Sequence, residues 1–422
     1  MAQLSDDCFA GAERLITTSE ALDILAARIS PVTDEESVYL RAAIGRILAE
    51  DVTSPVDVPP HDNSAVDGYA VNFDDLVAEA STTLPVAGRA AAGQPLGRPA
   101  HRGEAIRIFT GAPMPAGLDT VLMQEDCVEE AGSVTIPLGI KRGANRRAAG
   151  EDVMSGRVVL TRGTRLRPQE IGLAAAVGRS TLNVYKQVSA AVFSTGDEVG
   201  EPGGDLPPGK IYDSNRFTTI TALQRLGCNV DDLGILPDRP DEIAAAIRAA
   251  AESHDVLLTS GGMSVGEEDH VGKAVSANGA LHFWRLAIKP GRPVSLGQIQ
   301  AGDRSAAFVG LPGNPAAAMV TFVLIGRPLI LRLGGASEIA PIVYRVPADF
   351  DYRKKKDRRE FIRARLELGT DGIRRAKKHG ASGAGILSSL VGADGLVALP
   401  EEMTELDAGS MVEFLPFSEV LA

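Results

Sequence analysis

The residues most capable of chemistry sit in one short run. Residues 259–270 read Thr-Ser-Gly-Gly-Met-Ser-Val-Gly-Glu-Glu-Asp-His. Glycines at 261, 262 and 266 let the backbone approach a ligand closely. A glycine-rich turn between a strand and a helix directs amide N–H groups outward and attracts anions, phosphate above all. Glu267, Glu268 and Asp269 follow at once. Carboxylates beside a phosphate repel it unless a divalent cation such as Mg²⁺ sits between them. The run reads as a phosphate site with a metal edge, and a tight structural turn is the competing reading. Neither Gly-x-Gly-x-x-Gly nor a Walker loop ending in Lys-Ser/Thr is present.

Such a loop needs a strand before it and a helix after it, and the surrounding chain predicts both. Residues 255–260 fit a short buried strand, and the segment after Gly266 can open a helix. Upstream, 188–193 reads as a strand ending in Ser-Thr-Gly-Asp-Glu at 194–198. Asp213, Ser214 and Asn215 can cap a helix through Leu226, with Gly227 as its stop. A strand at 231–236 and an alanine-rich helix at 241–253 follow. Residues 306–310 form another strand, then Leu-Pro-Gly-Asn-Pro at 311–315 and a long apolar helix. Asn314 suits its cap and Pro315 its first turn. Alternating strands and helices imply parallel βαβ units, which bind ligands beyond the carboxyl ends of their strands.

Acids collect at that edge: Asp197 and Glu198, Asp238, and the triplet at 267–269. Alone, Asp197 caps a turn and Asp238 is an ordinary loop residue. Their shared placement favours a metal-binding edge. Arg285, Lys289 and Arg292 surround a Pro-Gly bend at 290–291 and offer phosphate charge-assisted donors.

The rest of the chain is organised differently. Helices are expected at 17–29 and 34–49, then proline-rich extended chain at 54–60. Residues 56–152 are dense in Gly, Pro and Val and suit short strands, such as 105–109, 120–123 and 133–136. Residues 158–177 give a strand, a turn and a helix opening at Pro168. From 335 onward, strands near 343–346, 361–368, 396–399 and 411–415 suggest a small barrel. The fold class is therefore α/β plus β, multidomain. The units are 1–55 with 153–180, a small β-rich domain at 56–152, a βα parallel-sheet domain at 181–334, and a C-terminal β-barrel at 335–422.

Composition narrows the function classes. A chain of 422 residues exceeds one core, and 44% hydrophobic content with 25 prolines fits a loop-rich globular protein. No unbroken run of about 18 apolar residues suggests a membrane span, and the acidic N-terminus has no export pattern. Three scattered cysteines argue against a disulfide framework and for the cytoplasm. A formal charge of −12 argues against nucleic-acid binding. Basic clusters at 353–359 and 374–378 read as solvated hairpin edges. Lys141, Arg142, Arg146 and Arg147, just before Gly-Glu-Asp at 150–152, leave solvated loop and anion site equally open.

With these residues in view, the chain resembles the molybdopterin molybdenumtransferases, the MoeA and gephyrin E-domain family. Residues 260–269 look like its molybdopterin-binding signature. Further matches run in family order: Asp-Asn-Ser-Ala-Val-Asp-Gly-Tyr-Ala at 62–70, Phe-Thr-Gly-Ala-Pro at 109–113, and Gly-Glu-Asp at 150–152. Ser-Thr-Gly-Asp-Glu at 194–198, Tyr-Asp-Ser-Asn-Arg at 212–216 and Gly-Leu-Pro-Gly-Asn-Pro at 310–315 complete the series. The resemblance implies a four-domain homodimer whose active site lies between the βα domain (MogA-like) of one subunit and the small β domain of the other. It would give Asp67, Thr110 and Asp152 to the β-domain half. Glu198, Asp238 and Asp269 would surround Mg²⁺ and the reacting phosphate. Gly261, Gly262, Ser264 and Gly266 would cradle the pterin phosphate, with Arg285, Lys289, Pro312 and Pro315 shaping the pocket. Arg363 and Ser388 are looser matches. The family usually has lysine where this chain has Arg285, which keeps charge but not point-charge geometry. Val66 replaces a frequent methionine conservatively. For Asp67 and Thr110 the residues alone indicate only a turn acid and a strand end.

The implied activity is insertion of molybdate into adenylylated molybdopterin with release of AMP. The adduct would come from the molybdopterin adenylyltransferase as a partner. Two other activities belong to related proteins: adenylyl transfer itself, carried by a single βα domain, and receptor clustering by gephyrin.

Overall fold

The computed structural model describes residues 15–261 and 270–421. Among these, the βα domain is built on a seven-stranded sheet. Its core is four parallel strands in the spatial order Arg304–Leu311, Val256–Ser260, Ser189–Thr195, Asn229–Leu236. Pro293–Ala301 and Gly279–Leu286 extend it antiparallel, and Leu15–Ile16 joins the far edge. Continuous apolar strands such as Val256–Ser260, buried throughout, are expected where helices cover both faces. One face packs on Thr18–Arg28, Asn215–Arg225 and the helix from Pro315; the other packs on Pro240–Ser253 and His270–Asn278.

The long apolar helix expected after Pro315 runs to Leu333. By length and composition it would span a membrane, yet 89% of its most apolar window is buried inside the protein. A π turn at Phe322–Gly326 interrupts it just before Pro328. Proline has no N–H for the preceding turn, so the ladder must widen there.

The chain's first part departs from the expected two helices. The segment expected as a helix at 34–49 is a strand, Glu35–Tyr39, and a short 3₁₀ turn, Leu40–Ala42. The strand pairs antiparallel with Thr181–Tyr185, a tertiary partner that overrides local helix patterning. Val52–Thr53 pairs with Val158–Leu160, and the core of this unit joins Leu48 and Val52 to Leu160, Leu166 and Val184. Thr18–Arg28, by contrast, packs into the βα core through Ala21 and Leu25. Thr17 caps it reciprocally with Glu20.

The small β domain is inserted between Val52–Thr53 and Val158–Leu160. Its six-stranded sheet runs Thr120–Met123, Gly68–Val71, Ala105–Ile108, Thr82–Ala90, Ser133–Ile136, Val128–Glu130. The nine-residue strand Thr82–Ala90 gives no sequence signal because Pro85 and Gly88 interrupt it; a register shift between Val86 and Arg89 absorbs the irregularity. In the C-terminal domain, Arg374–Lys378, Arg359–Leu368, Gly395–Leu399, Met411–Pro416 and Tyr344–Pro347 pair in turn. A parallel bridge from Ala348 to Ala376 closes the ring, with the Asp349 N–H donating to the Ala376 carbonyl at 2.8 Å.

Candidate functional site

The parallel strands deliver their carboxyl ends to one edge. Asp238, Glu198, Gly261 and Pro312 follow four consecutive strands of that edge. Neighbouring strands lie about 4.8 Å apart, so these turns adjoin one another. Residues 262–269, including Gly262, Ser264, Gly266 and Asp269, lie outside the described residues.

Glu198 is exposed, and its carboxylate occupies the space a side chain at Gly196 would need, 2.5 Å from an added Cβ. With φ near +127°, position 196 favours glycine on backbone grounds, and a Cβ there would displace the Glu198 carboxylate. Behind this turn lies Arg216, 3% exposed. Its guanidinium bonds Asp213 at 3.1 Å and Asp232 at 2.6 Å, and also Glu201. Burial alone would lower the pKa of Arg216, but Glu201 and Asp232 outweigh it and raise it. One buried cation thus ties the turn bearing Glu198 to the helix start and to the strand leading to Asp238. Two water-facing carboxylates on adjacent turns are hard oxygen donors of the kind Mg²⁺ takes. Among the described residues no group of three potential metal ligands assembles.

A cavity of about 410 Å³ opens between this edge and the barrel. Gly261, Lys289, Pro312 and Arg363 line it, with Gly313, Tyr352, Glu360, Lys378 and His379. Its floor is a backbone contact: the Gly261 N–H donates to the Leu311 carbonyl at 3.1 Å, and a Cβ on Gly313 would lie 3.6 Å from Gly261 Cα. Asn215 Nδ2 donates to the Gly313 carbonyl at 2.8 Å, joining the 212–216 motif to this floor.

Arg363 is 4% exposed, and its bonded partners are the carbonyls of Ala381 (2.7 Å) and Gly383 (3.0 Å) and the Ser389 hydroxyl (3.1 Å). Burial holds its pKa below the usual guanidinium value. Lys289 Nζ lies 3.2 Å from Glu360, which also accepts from Tyr352 (2.9 Å) and Arg358 (2.9 Å). Burial would raise the Glu360 carboxyl, but the bonds from Tyr352, Arg358 and Lys289 outweigh it and hold it below the ordinary range. Lys378 sits over the Tyr352 ring, 5.4 Å from its centroid. Among the described residues, the lining carries three cations, Lys289, Arg363 and Lys378, against one carboxylate, Glu360.

Several expected residues fall elsewhere. Ser388 is exposed; its neighbour Ser389 is the buried hydroxyl bonded to Arg363. Pro315 faces a crevice with Asn215 and Thr218. Arg285 is exposed on its strand, outside the cavity lining. Glu360, Lys378, His379 and Ser389 escape sequence reasoning because they lie within the basic hairpins and loose loop of the barrel. Several cations there sit on exposed hairpin edges and are ion-paired, for example Lys377 with Glu367 and Arg375 with Asp371. In the cluster before residues 150–152, Arg142 is tied to Asp74 and Asp119 and Arg146 to Asp62.

The second acidic locus lies on the small β domain. Asp67 accepts from the Thr110 N–H and hydroxyl, both at 2.8 Å. These bonds, the backbone one first, hold its carboxyl below the ordinary range, and the nearby charge of Arg107 adds to them. Arg107 donates to the Gly68 carbonyl at 3.0 Å and to Gln124 Oε1, and lies 4.9 Å from the ring centroids of both Tyr69 and Phe109. The Gln124 N–H in turn donates to the Asp67 carbonyl at 3.0 Å. Asp152 is exposed, in the turn after Gly150. Asp67, Thr110 and Asp152 are absent from the cavity lining of their own chain.

Residues 16–178 match the MoeA N-terminal region (domain I and II), residues 191–332 a probable molybdopterin binding domain, and residues 345–417 the MoeA C-terminal region (domain IV). The chain is 38% identical over 409 residues to a molybdopterin molybdenumtransferase of Haemophilus influenzae, covering 96% of this chain and all of that one (100%). A protein of the same name from Nostoc is 35% identical over 401 residues, covering 94% and 92%. Of solved structures, a molybdopterin biosynthesis MoeA protein of Pyrococcus horikoshii aligns with TM-score 0.80 at 29% identity, covering 96% of this chain and 100% of that one.

Proposed function

The chain belongs to the MoeA family of molybdopterin molybdenumtransferases, and from that premise we propose that it inserts molybdate into adenylylated molybdopterin, releasing AMP. The observation that carries this reading is the cavity with buried Arg363. A buried guanidinium satisfied only by neutral oxygens, flanked by Lys289 and Lys378, suits a compact oxyanion. The strand-end edge beside it is where a βα sheet places a phosphate ligand.

The residues then divide the work. Gly261 and the loop that follows receive the pterin phosphate; Lys289, Arg363 and Lys378 hold molybdate against it. Glu198 and Asp238, with Asp269, would hold Mg²⁺, which supplies charge neutralisation at the phosphoanhydride. The pterin's dithiolene sulfurs, soft ligands, would each take molybdenum as a molybdate oxygen leaves as water. Water attacking the anhydride phosphorus would release AMP and leave the pterin phosphate. The protein contributes positioning and electrostatics. Asp67, Thr110 and Asp152 complete the site from a second subunit of a homodimer. The enzyme works in the cytoplasm, fed by the adenylyltransferase.

The test is molybdate-dependent AMP release from adenylylated molybdopterin. Glu198→Gln and Asp269→Asn are expected to abolish it, and wild-type rates in either folded variant would sink the assignment. Incubation with MgATP and molybdopterin separates adenylyl transfer, which alone would yield pyrophosphate.

A further inference from the structure

We propose that Arg107 is a positioning residue that sets the Asp67–Thr110 pair for the reaction. The inference rests on the reading that Asp67 serves catalysis. Asp67 and Thr110 lie just outside two paired strands, Gly68–Val71 and Ala105–Ile108, in the register Gly68 to Ile108. Both therefore depend on how those strand ends are held. Arg107 holds both. It bonds the carbonyl of Gly68, the residue after Asp67, and its guanidinium spans the rings of Tyr69 and Phe109, the residue before Thr110. Through Gln124 it also reaches the donor that holds the Asp67 carbonyl.

Each contact uses a different property of arginine. The two N–H arms satisfy two acceptors in one plane, and the flat face lies on two aromatic rings. The positive charge near Asp67 favours its ionised form. A lysine keeps the charge and one bond but cannot span both rings and both acceptors. The contacts of Arg107 run to Gly68, Gln124, Tyr69 and Phe109, so it acts on Asp67 and Thr110 through their neighbours.

The full-length enzyme is assayed with molybdate and adenylylated molybdopterin varied separately. Arg107→Met is expected to lower kcat by about 10- to 100-fold, the range for a misplaced reactive group, with both KM values changed less than about twofold. Arg107→Lys should recover part of kcat. Wild-type kcat in folded Arg107→Met overturns the proposal. So does an equal loss in both variants that follows a fallen melting temperature. Should Arg107→Met not fold, Gln124→Met removes one arm of the clamp and should still lower kcat with KM unchanged; wild-type kcat there overturns the proposal. Asp67→Asn is the control for the underlying reading. If it keeps wild-type kcat, that reading fails; if it loses activity and Arg107→Met does not, only the role of Arg107 fails.

Discussion

In the cavity, Arg363 is buried, walled by two domains of one chain, and held by three hydrogen bonds, all to neutral oxygens. On the small β domain, Thr110 is exposed and Asp67 half-exposed, and their bonds run only to each other and to neighbouring strands. The cavity gathers Lys289, Arg363 and Lys378 around one recess. The acidic face is rigid but open, so its electrostatics are screened by solvent until another surface covers it. The contrast teaches that the two halves of the proposed site are built differently: one is walled by two domains of its own chain, and the other is held rigid on an open face.

Removing the buried cation is the strongest way to break the first half. Arg363→Met should cut molybdate-dependent AMP release by roughly 100-fold or more, and Arg363→Lys by less, since charge survives without the fork. A wild-type rate in either would mean that the cavity does not receive the anion. The second half is tested by mixing subunits. Inactive Asp67→Asn and inactive Glu198→Gln chains, co-refolded, should regain about a quarter of wild-type activity, because half of random dimers contain one intact site. No recovery would place both residues in one chain's site.

Smaller effects sharpen the comparison. Glu360 balances Lys289 inside the cavity, and its folded-state pKa is depressed. Its stabilisation is therefore present above the ordinary carboxyl range and lost as pH falls through the depressed value. Glu360→Gln should melt below wild type at pH 7, by the equivalent of about 1–3 kcal/mol, with the gap closing in acid. A gap unchanged with pH would show that the carboxylate charge is not what matters. Least is expected at 388 and 389. Ser389→Ala should cost about 1 kcal/mol of stability and several-fold in rate, by freeing Arg363 Nε. Ser388→Ala should resemble wild type, and the reverse order would move the hydroxyl role back to Ser388.

The βα unit was legible because its signals are local: alternating apolar strands, Asn314 before Pro315, and Gly227 closing a helix. The helix expected at 34–49 was not, because the partner that makes Glu35–Tyr39 a strand lies some 145 residues on. Nor could periodicity tell that Thr18–Arg28 joins the βα core and not the unit that follows it in sequence. The strand-end acids were visible from topology. Asp67 and Thr110 needed the family resemblance, since as bare residues they read as a turn and a strand end. The barrel's contribution hid in composition: Lys378 sits among paired surface cations and differs from them only in facing Tyr352 and the cavity.

The insertion of the small β domain between Val52–Thr53 and Val158–Leu160 has a consequence for how the molecule is made. A ribosome releases Val52 long before its pairing partner, and a closure of about 100 residues costs several RT in entropy that the small β sheet must already have reduced. The lobe's own strand pairs, such as Gly68 with Met123 and Val86 with Ala105, span shorter separations and emerge complete before Val158 does. Translation order, in this protein, delivers the lobe before the frame that carries it is complete.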